Sequence, residues 1–77
     1  MIAARSERES GWRRGERKAQ EAYDERTSDH DYLFTLALRA GAIDRNLGRL
    51  NDWENLGFVI QGAQLARGMG HGPDQEG

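Results

Sequence analysis

Asp29, His30 and Asp31 form the cluster of metal-type side chains that stands out in this sequence. Adjacent residues on a helix point about 100° apart, so these three cannot close on one ion without ligands from elsewhere. They read instead as the first turn of a helix, where carboxylates favour the positive end of the macrodipole. His71 stands alone in a glycine-rich stretch. General acid–base chemistry needs carboxylates that face each other in contrasting environments, whereas the acidic residues here fall at expected helix starts and on solvated faces. The chain has no cysteine, so it offers neither a thiolate nucleophile nor a disulfide framework. A phosphate-cradling glycine loop and a nucleophile elbow are also missing. The reading is not an enzyme, with no cofactor, no metal and no small-molecule ligand.

Arg45, Asn46 and Arg49 are of the types that read base edges. They lie in LALRAGAIDRNLGRL, residues 36–50, where Ala37, Gly41, Leu47 and Leu50 fall at offsets resembling the helix-turn-helix spacing of phage repressors. That resemblance implies a small DNA-binding transcriptional regulator with Arg45, Asn46 and Arg49 on its recognition helix. Ile43 departs from the pattern where a polar residue usually opens the second helix, and Gly48 interrupts that helix. Two packed helices joined by a glycine turn account for the same spacing.

The elements that would position these residues are helical. From Ser6 to about Arg26 the chain is rich in Glu, Arg, Lys, Gln and Ala, and Ser6 with Glu9 has capping-box spacing. Its apolar seam, Trp12, Ala19, Ala22 and Tyr23, is narrow, and Gly11 and Gly15 mark its first half as the part most prone to fray. Ser28 caps a second helix expected from Asp29 to Ala40, with Gly41 as a left-handed stop. Tyr32, Leu33, Phe34, Leu36, Ala37, Leu38 and Ala40 make this helix apolar almost all round, which predicts that it is surrounded at the centre of the fold. A short helix from Ala42 or Asp44 to Leu50 follows. Asn51 with Glu54 then opens a last helix over 52–67, stopped at Gly68. Trp53, Leu56, Val59, Ile60, Ala63 and Ala66 share its broad face, and Phe58 with Leu65 form a second side. The expected organisation is all-α, a small bundle of three to four helices: a flexible terminus over 1–5, a charged helix over 6–27, a helical core over 28–68 and a disordered tail over 69–77.

With 77 residues, such a chain builds only a lean core. Every Leu, Phe and Val lies between Tyr32 and Leu65, so the core-forming material occupies less than half of the sequence. A scaffold this small balances near zero stability without extra burial, which favours a second copy of the chain or another protein as a partner. Residues 1–27 carry seven basic and six acidic side chains, and residues 28–77 carry four basic and seven acidic. A nucleic-acid binder normally shows a basic excess over its contact module. The preferred function is therefore protein–protein interaction, in general character like the small inhibitors and adaptors of phages and mobile elements. One form is an acidic inhibitor of a nucleic-acid-handling complex that uses Asp29, Asp31, Asp44, Asp52 and Glu54 as charge partners. Trp12, Tyr23, Phe58 and Leu65 are the candidate apolar contacts, with Trp12 read equally well as a lid on the core. No apolar run matches a signal peptide or a membrane span, so a cytoplasmic protein is expected, with no membrane partner.

Overall fold

The computed structural model describes residues 5–69 and is all-α: α1 (Arg5–Asp24), α2 (Asp29–Gly41) and α3 (Leu50–Ala66), with no strand among the described residues. Residues 70–77 of the tail expected over 69–77, and residues 1–4 of the terminus expected over 1–5, lie outside the described residues. Arg5, expected in the flexible terminus, is helical, and Met69, expected in the tail, is a core residue only 3% exposed. Ser6 lies inside α1 rather than capping it.

α2 starts where expected because Ser28, in extended conformation, accepts a hydrogen bond on its side-chain oxygen from the Asp31 N–H at 3.0 Å. Asp29 and Asp31 occupy its first turn and Arg39 its last, both favourable to the helix dipole. Gly41 remains helical and Ala42 closes the helix in a right-handed conformation, so no left-handed glycine stop forms.

Residues 42–49 do not form the expected short helix. Asp44 bends the backbone by accepting from the Asn46 N–H at 2.8 Å, a local side-chain bond that competes with helix. Leu47 then takes a positive φ of 50°, a conformation costing about 1–2 kcal/mol for a residue with a Cβ. The Trp53 indole N–H donates to the Leu47 carbonyl at 2.8 Å and fastens the turn. α3 begins at Leu50, earlier than expected, because Asp52 folds back on the turn. Its carboxylate accepts from the Arg49 N–H at 3.2 Å and the Asp44 N–H at 3.1 Å. The cap is therefore built on Arg49 and Asp52 rather than on Asn51 and Glu54.

The central helix is α3, not α2. α1 packs along most of α3, while α2 packs chiefly on α3 and reaches α1 through Tyr32. Small residues decide this arrangement. Gly11, Gly15 and Ala19, four apart on α1, are all buried, and so are Gly57 and Gly62 on α3. A Cβ at Gly15 would strike the Glu54 carbonyl and the Phe58 amide, and one at Gly57 would strike the Trp12 backbone. The glycines expected to fray α1 are its contact surface. Elsewhere on α3, Gly62 receives the Leu36 side chain and the Tyr32 hydroxyl.

The core where the helices meet is Ala19, Tyr32, Leu36, Phe58 and Met69, with Ala22, Tyr23 and Ala66 packed against it. Tyr32 is its keystone. The buried hydroxyl donates to the Ala19 carbonyl at 2.9 Å, and the ring meets Tyr23 edge-on with centroids 5.6 Å apart.

Candidate protein-binding surface

α2 is apolar nearly all round, and its contacts with α3 and, through Tyr32, with α1 cover one side of it only. On α2, Tyr32 and Leu36 turn into the core, and His30, Leu33, Phe34, Ala37, Leu38 and Gly41 are all exposed. Their spacing of i, i+3, i+4, i+7, i+8 and i+11 sets them on one continuous stripe. Leu33 is 48% exposed, and Phe34 and Leu38 are each 60% exposed. Isolated apolar residues at a surface are ordinary, but a contiguous apolar stripe on one helix is a candidate interaction surface.

The stripe continues into a groove between α2 and the C-terminal half of α3. Leu33 and Leu36 form one wall and Ala63, Ala66 and Met69 the other, enclosing about 440 Å³ with Asp29 and Arg67 at its rim. On α3, Ile60 and Ala63 are exposed. The side of α3 expected to be its main apolar face is thus only partly covered.

Of the apolar contacts expected from sequence, Phe58 is 2% exposed and belongs to the core. It packs beneath the Arg39 guanidinium, 4.5 Å from the ring centre. Leu65 is half-buried. Tyr23 is half-buried, with Tyr32 on one side and the Arg26 guanidinium 3.9 Å from its ring centre on the other. Trp12, half-buried, lies against Trp53 with centroids 6.3 Å apart at the α1–α3 interface. Beside this pair is an open hollow of about 640 Å³, bordered by Arg5, Arg8, Arg13, Glu9 and Glu16.

The five acidic candidates do not form one surface. Glu54, whose side chain is 12% exposed, accepts from Arg14 at 2.9 Å, Lys18 at 3.0 Å and Arg39 at 3.3 Å, joining all three helices. Burial by itself pushes its carboxyl up, but the hydrogen bonds from Lys18, Arg14 and Arg39 outweigh that and hold it below the ordinary carboxylate value. Asp52 is buried as the cap of α3. Asp29 pairs with Arg26 at 2.9 Å, Asp31 accepts from the Thr27 hydroxyl at 2.7 Å, and Asp44 holds the turn. Each carboxylate is engaged in the architecture. Burial also raises the Tyr32 phenol, keeping its hydrogen-bonding proton in place.

Arg45 and Asn46 occupy the turn after α2, and Arg49 is the N-cap of α3. No recognition helix carries them. Among the described residues, no three His, Cys, Asp or Glu side chains gather as a metal site, and no helix is long and apolar enough to cross a membrane.

The sequence marks the window from Tyr32 to Leu65 as both core and source of a binding face, but it points to Phe58 and Leu65 as the contacts rather than to the outer side of α2. Leu33, Phe34 and Leu38 were the missed surface residues. The signal was present in the shortage of other elements able to surround them. No family model matches the sequence, and neither a curated protein nor a solved structure proves similar to it.

Proposed function

We propose that this chain is a non-catalytic protein–protein interaction module, an adaptor or inhibitor, that docks through the outer face of α2. The observation that carries this reading is the exposed stripe of Leu33, Phe34 and Leu38, continuous with the apolar groove against α3. Burying a large aliphatic or aromatic side chain contributes about 1.5–3 kcal/mol, so three such residues meeting a complementary surface provide a binding centre. Charge has a supporting role, because the carboxylates expected to contact a partner are already engaged within the fold. The absence of cysteine suits work in a reducing compartment such as the cytoplasm.

The test is a photo-reactive phenylalanine analogue at position 34. A discrete protein adduct is expected on irradiation, lost when Leu33 and Leu38 are both changed to Glu. The same analogue at exposed Glu25 should give none. No adduct at position 34, or equal labelling at both positions, contradicts the reading.

A further inference from the structure

We infer that the occupant of the α2 face is a second copy of this chain, packed antiparallel across a two-fold axis. The inference rests on the docking reading above and names its partner. Two-fold contacts are isologous: if residue i meets residue j of the second copy, j meets i. The stripe matches itself in size under one such register. Centring the axis between Thr35 and Leu36 in chain position sets Phe34 opposite Ala37 of the second copy, His30 opposite Gly41, and Leu33 opposite Leu38. Large side chains then meet small ones twice on each side of the axis, as knobs meet holes, and the remaining pair is leucine on leucine. A parallel arrangement would stack Phe34 on Phe34 and leave Ala37 against Ala37.

Charge selects the same orientation. The N-terminal end of α2 carries Asp31 and Asp29, the latter paired with Arg26, and the turn after its C-terminal end exposes Arg45 and Arg49 beside Asp44, whose carboxylate accepts from the Asn46 amide. Antiparallel packing brings Asp31 of each copy toward the end that carries these two arginines, whereas parallel packing sets Asp31 beside Asp31. The helix dipoles are also opposed. With α3 behind each α2, the dimer contains a four-helix layer that covers the stripe the single chain leaves exposed.

The direct experiment is sedimentation equilibrium of the purified chain from low micromolar to near-millimolar concentration. The weight-average mass is expected to rise from one chain to two. Phe34→Glu should remain a single chain throughout with an unchanged helical circular dichroism spectrum. Ala37→Phe and Phe34→Ala should each weaken association roughly tenfold or more. The double variant Phe34→Ala with Ala37→Phe exchanges knob and hole across the axis and should recover much of the loss. A wild-type chain that stays single, a dimer indifferent to Phe34→Glu, or a double variant no better than its parents overturns the proposal. A single chain that still gives a heterologous adduct from position 34 removes the second copy alone and leaves the docking reading intact. A single chain with no adduct removes both.

Discussion

Glu54 is a carboxylate on which a cation from each of two helices and a second from α1 converge, and it is mostly shielded from water. Its folded-state pKa lies below the ordinary value of 4.5. A carboxyl depressed in the folded state contributes stability that is present above its unfolded pKa and lost as pH falls through the folded one. The melting temperature should therefore decline as pH is lowered from about 5 toward 3, and Glu54→Gln should flatten that part of the profile. At neutral pH the same substitution should cost about 1–3 kcal/mol, read from chemical denaturation, because it leaves three cations short of a partner. Tyr32→Phe isolates a neutral bond and should cost about 1 kcal/mol. The sequence shows Glu54 only as one acid among several. Nothing in local spacing tells that Arg14, Lys18 and Arg39 will reach it, since those contacts span 15 to 40 residues. Ser28 was legible because its cap is made within three residues.

At the scale of elements, α1 and α3 approach closely because glycine removes the side chains between them. Gly15→Ala raises intrinsic helix propensity by about 1 kcal/mol, yet its Cβ would meet backbone atoms that cannot swing aside. The overlap should win, with a net loss of about 1–3 kcal/mol in thermal or denaturant unfolding. Gly41→Ala is the matched control. A Cβ there meets nothing within 4 Å in the single chain, so at concentrations too low for association that variant should be neutral or gain up to about 0.5 kcal/mol. Sequence reading based on large apolar side chains ranks α1 as loosely attached, because glycine registers as a helix breaker rather than as a contact. The repeated four-residue spacing of Gly11, Gly15 and Ala19 was the available signal. The short helix expected before α3 failed for a related reason: propensity and spacing do not reveal that Asp44 and Asp52 bind backbone amides in the turn.

Across the whole molecule, apolar material exceeds what three helices can enclose. The core takes one side of α2 and leaves Leu33, Phe34 and Leu38 to solvent. Because Phe34 is 60% exposed in the single chain, Phe34→Glu should change its stability by no more than about 0.5 kcal/mol. That outcome contrasts with Phe58→Ala, a core truncation expected to cost about 3–5 kcal/mol. The confinement of Leu, Phe and Val to Tyr32 through Leu65 was legible from composition. Which of them face inward was not, because that depends on α3 rather than α2 becoming the central helix.

Covering of the α2 face is the central claim, and a single-cysteine footprint tests it most directly. The chain contains no native cysteine, so Leu38→Cys provides one thiol on the exposed stripe and Glu25→Cys one thiol on an exposed turn away from it. Reaction of each with a maleimide is followed at low and high protein concentration. Labelling at position 38 should slow several-fold as concentration rises, while labelling at position 25 stays constant. Equal, concentration-independent rates at both positions would contradict the account.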